Sequence, residues 1–409
     1  MPNLRRLAPL AAVLGIAACN DLGNVSSTRQ GFDTIPIPKS AFNAELQEAC
    51  GAGGISADGD DAFLRDPYLQ RMTANSVDVL WTTTSAESAS IRVTDSSGAV
   101  VGEFFPVLDE QSNRVEFEQY VTTIDGLAPE TIYCYQIRGE FGEWLQPTGF
   151  RTAPTPGSAT PVRILAIGDL GTRTSDQFAV LDAMSNVSYD LVLVAGDLAY
   201  EKGTLSDHEN NFFSVYSEIM RSIPFFVISG NHDYAADGAV FREVFALPEN
   251  GAPHGRERWY SLDWGDIHIV ALDTEQVDDV QAQWLENALS ANEKPWTIAF
   301  LHRPPYSSGK HGSTASVQSS FVPLFERYGV NLVLAGHDHN YERTKAVGGV
   351  TYVVTGSGGR GTRPVGSSSF TEYSESVAHF SHITVGGEDL SLHAIDASGT
   401  DFDAVVVNR

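Results

Sequence analysis

The chain has 409 residues, of which 42% are hydrophobic and only 19% are charged, so its composition excludes a largely disordered protein. Its 52 acidic residues outnumber its 26 Lys and Arg residues and give a formal net charge of −26. Such an acidic surface repels polyanions, which excludes nucleic acid and anionic membranes as broad partners.

The N-terminus has the pattern of a secretory signal peptide, which we predict over residues 1–18. Arg5 and Arg6 precede the apolar stretch Leu7–Ala18, which is too short to span a membrane stably. The stretch ends in Gly-Ile-Ala-Ala before Cys19 and resembles a bacterial lipobox, which implies a lipid anchor on Cys19. Ordinary cleavage nearby is the alternative. Both predict a location outside the cytoplasm, as a bacterial lipoprotein or as a secreted or periplasmic protein.

Residues 19–62 are rich in Ser, Asn, Thr, Gly and Ala, which indicates a flexible tether with one short helix near Ala41–Cys50. The chain has only three cysteines, Cys19, Cys50 and Cys134. If Cys19 carries lipid, the other two form an even pair in an oxidising compartment. Whether they form a disulfide stays open, because the sequence gives no distance between them.

Residues 63–154 contain short alternating runs separated by turn signals, a pattern that predicts an antiparallel β-sandwich. The segment Gly126–Tyr133 resembles the tyrosine corner of fibronectin type III domains, and Trp81 fits their core tryptophan. The resemblance implies a structural role for this domain. The Pro-rich segment Pro154–Pro161 is a stiff linker and a domain boundary. The predicted strands are Ser76–Trp81, Ser90–Thr94, Val115–Thr123 and Thr131–Arg138.

Between residues 161 and 400, buried strands alternate with helical segments, which predicts an α/β domain with a central pair of sheets. Most strands are continuous apolar runs, as strands covered on both faces must be. The predicted strands are Val162–Ile167, Asp190–Ala195, Pro224–Ser229, Ile267–Leu272, Trp296–Leu301, Asn331–Ala335 and Val350–Thr355. The predicted helices are Ser175–Met184, Phe212–Met220, Val277–Leu289 and Val317–Arg327. Three tail strands, His382–Val385, Leu390–Ile395 and Asp403–Val407, are expected to finish the second sheet.

Five of these strands end directly in a short polar motif. In chain order the motifs read GDLG, GDLAY, GNH, AFLH and GHDH. Because active sites of open α/β sheets lie at the carboxyl ends of strands, we expect the motifs to converge in space. They contribute seven candidate metal ligands, which are Asp169, Asp197, Tyr200, Asn231, His302, His337 and His339.

The candidate ligands are hard oxygen and nitrogen donors without a thiolate, a set that suits a pair of first-row transition metals. Alternation places the imidazoles of His337 and His339 on one side of an extended segment, so both can reach neighbouring metals. Tyr200 can bind as a phenolate, which favours trivalent iron. A single motif of this kind is more often a turn or a structural histidine. Five in order, each after a strand, predict a two-metal centre that hydrolyses phosphate esters.

The five motifs resemble those of the purple acid phosphatase branch of metallophosphoesterases, and Tyr200 selects this branch over the wider superfamily. The preceding fibronectin-like domain is similar to that of the larger members. The resemblance implies a four-layer αββα sandwich and a binuclear centre of Fe(III) and divalent Zn, Fe or Mn. The implied Fe(III) ligands are Asp169, Tyr200 and His339, those of the divalent metal are Asn231, His302 and His337, and Asp197 bridges the two.

The resemblance also implies an acid phosphatase-like enzyme that cleaves small-molecule phosphate monoesters by attack of a metal-activated hydroxide. His232 resembles the family's phosphate-contacting histidine, although it alternatively only hydrogen-bonds a carboxylate. Plant members often have two adjacent histidines where this chain has Lys310 and His311, and we align His311 with the second. This departure leaves the proton donor and the substrate preference open. The implied catalytic residues are His232 and His311, and the candidate substrate-binding residues are Asn231, His232, Tyr306, Lys310 and His311.

Two alternative functions stay open. A phosphodiesterase or nucleotide hydrolase would use the same metals, because specificity depends on the loops Glu201–Asn210, Tyr234–Arg258 and Arg303–Ser320. A non-catalytic, surface-anchored binding protein is suggested by the fibronectin-like domain and the lipobox. A decayed enzyme is expected to have lost ligands, whereas all seven positions are filled here. The oligomeric state is not predicted.

Overall fold

The computed structural model describes residues 44–51, 63–83, 90–109, 118–138, 142–251, 253, 255–407 and 409. The predicted signal peptide, Cys19 with its implied lipid anchor, and most of the predicted tether lie outside these residues. Within the described part of the chain, no helix is both long and apolar enough to cross a membrane.

The N-terminal strands form two four-stranded antiparallel sheets, in agreement with the predicted β-sandwich. The strands are β1 (Phe63–Gln70), β2 (Val77–Thr83), β3 (Ile91–Asp95), β4 (Val100–Phe104), β5 (Val107–Leu108), β6 (Glu118–Ile124), β7 (Ile132–Ile137) and β8 (Thr148–Arg151). One sheet has the order β1-β2-β6-β5 and the other β4-β3-β7-β8. Trp81 is buried and stacks on Tyr120 at 6.0 Å. The Tyr133 hydroxyl accepts the backbone N–H of Ala128 at 2.9 Å, which fixes the corner before β7.

A short helix, α1 (Ala44–Cys50), lies within the predicted tether and packs against β7 and β8. Leu46 and Cys50 are its buried residues. Cys50 forms a disulfide with Cys134 in β7, with the two Cα atoms 5.4 Å apart. The pairing that the sequence left open is therefore present, and it ties α1 to the sandwich.

Two mixed sheets form the second domain. The strands are β9 (Val162–Ile167), β10 (Leu191–Val194), β11 (Phe225–Val227), β12 (Tyr260–Trp264), β13 (Ile267–Leu272), β14 (Trp296–Leu301), β15 (Leu332–Ala335), β16 (Tyr341–Thr344), β17 (Thr351–Thr355), β18 (Thr371–Glu375), β19 (His379–Gly386), β20 (Asp389–Asp396) and β21 (Asp401–Val407). The first sheet has the order β11-β10-β9-β19-β20-β21, and the second β12-β13-β14-β15-β17-β16-β18. The two sheets pack against each other: the ring of Phe226 in β11 of the first sheet lies 6.2 Å from the ring of Trp264 in β12 of the second.

The burial of the strands explains their composition. All residues of β10, β13, β14, β15 and β17 are buried, and most of them are apolar, as in strands that are covered on both faces. In contrast, β19 and β20 alternate between buried and partly exposed residues, as antiparallel strands with one wetter face do.

The prediction that the tail strands finish the second sheet is wrong. β19 pairs antiparallel with β9, with Ile383 opposite Ile164, so the tail completes the first sheet. The second sheet is instead completed by β16 and β18, two short antiparallel strands that the sequence reading missed. Their partly polar residues gave no apolar run to detect.

Seven helices accompany the two sheets among the described residues after Val162, joined by a π-helical turn at His208–Phe213 and a 3-10 turn at Ala235–Gly238. They are α2 (Ser175–Met184), α3 (Leu205–Asp207), α4 (Ser214–Met220), α5 (Ala239–Val244), α6 (Asp279–Ser290), α7 (Ala315–Ser320) and α8 (Val322–Tyr328). The helix predicted over Val317–Arg327 is interrupted at Phe321, because Pro323 can occupy only the first turn of a new helix.

The sandwich packs onto the α/β domain through β1. Arg65 is buried and forms an ion pair with Glu209 in the π-helical turn. The Tyr68 hydroxyl donates to the Val244 carbonyl at 2.6 Å, and the Gln70 amide donates to the Phe225 carbonyl at 3.1 Å. The sandwich therefore supports the segments that follow β10 and β11.

We expect the double substitution Cys50→Ser/Cys134→Ser to lower the free energy of unfolding by about 2–5 kcal/mol. The bond joins residues separated by 84 positions, so its loss frees a long loop in the unfolded chain. Thermal unfolding with and without a reductant checks this. Reductant should lower the melting temperature of the wild-type chain and leave that of the double variant unchanged. A wild-type melting temperature that is insensitive to complete reduction would contradict the prediction.

Candidate metal centre

The seven predicted ligands lie together where the two sheets meet. They follow the carboxyl ends of β9, β10, β11, β14 and β15, and His302 comes directly after β14. The backbone N–H of Gly168, after β9, donates to the carbonyl of Thr355 in β17 at 2.9 Å, which joins the sheets at this edge. Ligand atoms of Asp169, Asp197 and His302 all lie within 4.8 Å of one another.

The first group of ligands consists of Asp169, Tyr200 and His339. The Tyr200 hydroxyl lies 2.9 Å from Asp169 Oδ1 and 3.4 Å from His339 Nε2. His339 Nε2 in turn lies 3.4 Å from Asp169 Oδ1. Since His339 Nδ1 faces the Gly361 carbonyl at 3.3 Å, its Nε2 is the nitrogen directed at the group.

The second group consists of Asn231, His302 and His337. His302 Nδ1 donates to the Ala195 carbonyl at 2.8 Å, which leaves Nε2 facing Asn231 Oδ1 at 3.3 Å. The rings of His302 and His337 lie 5.0 Å apart. Burial, with a smaller effect of His302, lowers the pKa of His337 to about 2, so its imidazole is neutral, as a metal ligand must be.

Asp197 lies between the two groups. Its Oδ2 accepts from the Tyr200 hydroxyl at 2.8 Å, and its Oδ1 lies 3.5 Å from His302 Nε2. One carboxylate oxygen thus faces each group. This is the arrangement expected of a carboxylate that bridges two cations.

The electrostatics of the centre favour cations. Burial raises the pKa of Tyr200 well above its usual value, and the carboxylates of Asp169 and Asp197 raise it further. Burial alone would lower the pKa of His302, but Asp197 and Asp169 raise it above the ordinary value. The phenol proton is shared between two buried carboxylates, and a multivalent cation would compensate them better. The hard oxygen and imidazole donors therefore fit a pair of first-row metals.

The backbone is strained at three of the ligands. Asp169, Asp197 and His337 have φ angles of 56°, 55° and 71°, in the left-handed region that non-glycine residues seldom adopt. Strain of this kind concentrates at functional sites. Glycines make the turns possible: a Cβ on Gly230 would lie 2.2 Å from Asp197 Oδ1, and one on Gly336 would lie 2.6 Å from Asp169 Oδ2.

Two buried aspartates that the sequence reading did not assign hold the motif loops together. Asp233 accepts the backbone N–H groups of Leu198, Ala199 and Gly230 at 2.9–3.0 Å. Asp233 therefore holds the loops after β10 and β11 together. Its position directly after the GNH motif is the signal in the sequence that could have identified it. Burial, assisted by Asp197, raises the pKa of Asp233 to about 7.

Asp338, between the two histidines of GHDH, anchors the loop that carries His311. It accepts from the Ser307 hydroxyl at 2.5 Å and from the backbone N–H groups of His311 and Gly312 at 2.8 and 3.1 Å. The loop after β14 is thus fastened to the loop after β15.

The two predicted catalytic histidines lie beside different groups of candidate ligands, His232 beside the group of Tyr200 and His311 beside the group of His337. His232 packs on Tyr200 with ring centroids 4.3 Å apart, and its Nδ1 donates to the Glu201 carbonyl at 2.6 Å. Its side chain bonds a backbone carbonyl, and only its backbone N–H reaches a carboxylate, Asp197, at 2.8 Å. His311 is exposed and lies over His337, with centroids 4.2 Å apart.

The other predicted substrate contacts differ in their environment. Tyr306 packs its ring against Tyr352 at 4.8 Å and Phe370 at 5.3 Å, which is an apolar packing position. Lys310 is exposed beside His311. Asn231 is half-buried with its amide oxygen directed at His302.

Three arginines border the centre, of which the sequence suggested only Arg360, as a residue that either lines the pocket or belongs to loop structure. Arg303 lies 3.0 Å from His337 Nε2 and forms a two-point ion pair with Glu275 at 2.7 and 2.8 Å. Arg360 stacks on the Tyr200 ring at 4.8 Å and pairs with Glu201. Arg363 donates to His311 Nε2 at 2.6 Å.

Comparisons with known proteins agree with this geometry. Residues 162–341 match the family described as Calcineurin-like phosphoesterase. Purple acid phosphatase 23 of Arabidopsis thaliana is 29% identical over 282 residues, which are 58% of this chain and 61% of that protein. Fe(3+)-Zn(2+) purple acid phosphatase 12 of the same plant is 31% identical over 253 residues, or 56% of this chain and 53% of that protein.

Among solved structures, a purple acid phosphatase from yellow lupin (Lupinus luteus) seeds superposes with a TM-score of 0.72 at 19% identity, over 85% of this chain and 75% of that one. This likeness shows a shared fold. The chain spans about half to three fifths of the length of the curated relatives it matches first, at 61%, 52% and 52%. Together the comparisons show similarity to the Calcineurin-like phosphoesterase family over residues 162–341 and a fold shared with a purple acid phosphatase.

We expect the purified protein to bind about two metal ions per chain, and Asp197→Ala to bind fewer than about one, because each group loses the oxygen that faces it. Elemental analysis by mass spectrometry checks this, with circular dichroism to confirm folding. Asp125→Asn is the control, since Asp125 is an exposed aspartate of the sandwich. Full metal content in folded Asp197→Ala would show that Asp197 does not bridge.

Proposed function

We propose that this chain is a metallophosphoesterase that hydrolyses phosphate monoesters of small molecules at a binuclear centre, as an acid phosphatase does. The observation that carries the proposal is Asp197, whose two oxygens face Tyr200 on one side and His302 on the other. An aspartate in this position would hold two cations close enough to act on one phosphoryl group.

The two groups of ligands suggest different metals. Asp169, Tyr200 and His339 offer two anionic oxygens and one nitrogen, which suits Fe(III). Asn231, His302 and His337 offer neutral donors, which suits a divalent ion that is Zn, Fe or Mn. One relative is named an Fe(3+)-Zn(2+) purple acid phosphatase, which supports this pairing. When bound, the metals would activate water and neutralise phosphoryl charge.

Side chains of the protein would orient the ester. His232 is fixed by its Nδ1 bond to Glu201 and by stacking on Tyr200, so we propose that its Nε2 contacts a phosphoryl oxygen. The Asn231 amide adds a polar contact on the other group, and Lys310, exposed beside His311, offers the substrate a cationic contact. These contacts would place the phosphorus in line with the attacking water.

We propose that His311 protonates the departing alkoxide. Its backbone is held by Asp338, and its ring lies over His337. The proton for the alkoxide is the one that the imidazolium form of His311 carries at Nε2, and in the neutral ring that remains, Nε2 accepts from Arg363, which has only donors. Burial and the nearby cations lower the pKa of His311, partly opposed by Asp338.

We further propose a location outside the cytoplasm, with residues 1–18 removed as a signal peptide and Cys19 as a lipid anchor. The Cys50–Cys134 disulfide supports an oxidising compartment. For the sandwich, the bond between Tyr133 and Ala128 supports a fibronectin type III-like domain with a structural role.

A monoester preference is testable with 4-nitrophenyl phosphate and bis(4-nitrophenyl) phosphate. We expect kcat/KM to be at least about 10-fold higher for the monoester, since His232 and Asn231 contact oxygens that a second ester would mask. Steady-state kinetics at several pH values measure this. Preferential diester turnover would favour the phosphodiesterase alternative, and no turnover of either by metal-loaded protein would favour the non-catalytic alternative.

Iron bound to Tyr200 has a spectroscopic consequence. We expect iron-loaded protein to show a visible charge-transfer band, because a phenolate donates electron density to Fe(III). Tyr200→Phe should abolish the band while keeping iron, and Tyr306→Phe is the matched control that should retain it. An active, iron-loaded protein that is colourless would contradict the tyrosinate assignment.

A further inference from the structure

The acidic chain surrounds its candidate metal centre with basic side chains. Most of these are already neutralised by carboxylates. Three arginines of this domain have such partners: Arg258 pairs with Asp273, Arg303 with Glu275 and Arg360 with Glu201. Their charges are therefore largely committed to the protein itself.

Arg363 differs from these three. Its backbone is fixed on both sides, because its N–H donates to the His339 carbonyl at 2.8 Å and its carbonyl accepts from the Ser376 hydroxyl at 2.9 Å. Its guanidinium donates to His311 Nε2 at 2.6 Å. Across the described residues, no carboxylate lies at ion-pair distance from it.

Lys310 is the second basic residue of this kind. It is exposed and directly precedes His311, in the loop that Asp338 anchors. No acidic partner of Lys310 occurs in the described ranges either. Two cations without carboxylate partners among the described residues are thus neighbours of His311, Arg363 through its hydrogen bond and Lys310 along the chain. The ring of His311 lies 4.2 Å from the ring of His337.

These two cations are neighbours of the residue that we propose to protonate the leaving group. The reacting phosphoryl group has its own contacts in the two metals, Asn231 and His232. Arg363 hydrogen-bonds the ring of His311, and Lys310 directly precedes His311, which is the residue that would meet the departing oxygen. A guanidinium fork binds a phosphate or carboxylate through two parallel hydrogen bonds, and an ammonium adds a point charge.

We propose that Arg363 and Lys310 form a second oxyanion subsite, so that the preferred substrates are phosphate monoesters whose leaving group carries a further phosphate or carboxylate. This inference rests on the proposed phosphohydrolase function. It also accounts for substrate capture by a chain of net charge −26, since the attraction is local to the centre.

The test compares three esters of one three-carbon skeleton: 3-hydroxypropyl phosphate, 2-carboxyethyl phosphate and propane-1,3-diyl bisphosphate. We expect the wild-type kcat/KM to be about 10- to 100-fold higher for the bisphosphate than for the hydroxyl compound, as charge-assisted hydrogen bonds imply. The carboxylate compound shows which oxyanion the subsite prefers. Arg363→Gln and Lys310→Gln should each reduce the ratio by about 10-fold. Arg327→Gln is the control, because Arg327 is an exposed arginine paired with Glu286 and should leave the ratio unchanged.

Binding supplies a readout that does not depend on turnover. Calorimetry with propane-1,3-diyl bisphosphonate and propylphosphonate should show tighter binding of the former to wild-type protein, and a smaller difference for Lys310→Gln. Lys310 is exposed, so this variant keeps the test valid if Arg363→Gln does not fold. Equal kcat/KM values for all three esters, together with equal affinities, would overturn the subsite. If no ester is hydrolysed, the proposed function fails, and the binding difference alone then decides the subsite.

Discussion

Two buried carboxylates at the meeting of two sheets are the constraint on which the rest of the centre depends. Asp169 and Asp197 are almost completely buried, and a single phenol proton from Tyr200 lies between them. Burying such charge is costly unless cations or donors compensate it. The surrounding imidazoles and the backbone N–H of His337 serve that compensation, and the two oxygens of Asp197 face the two groups of candidate ligands.

Much of the fold was predictable because burial on both faces leaves a simple signature. β9, β13 and β14 have the bounds that their apolar runs predicted. β16 and β18 were not predicted, since short antiparallel strands with partly polar residues lack such a run. The tail strands were predicted as strands but assigned to the wrong sheet. Strand order depends on which edge of each sheet is open to pairing, and the alternation of apolar and polar residues carries no information about that edge.

The candidate ligands were predictable for a related reason: strand-end motifs meet at one edge of a sheet. Their supporting residues were not. Asp233 and Asp338 act through backbone N–H groups of distant loops, and those partners carry no residue-specific signal. Arg363 lies far from His339 in the sequence, and it reaches the centre through its hydrogen bonds to the His339 carbonyl and to His311 Nε2. Loops thus determine specificity here, whereas the sheets determine the chemistry.

The measurement that tests the account most directly is anomalous X-ray scattering from crystals of the purified protein at the iron and zinc absorption edges. The account predicts two peaks about 3.5–4 Å apart. One should lie beside Tyr200 and the other beside His302, with Asp197 between them. A single peak, or two peaks without Asp197 between them, would contradict the binuclear centre.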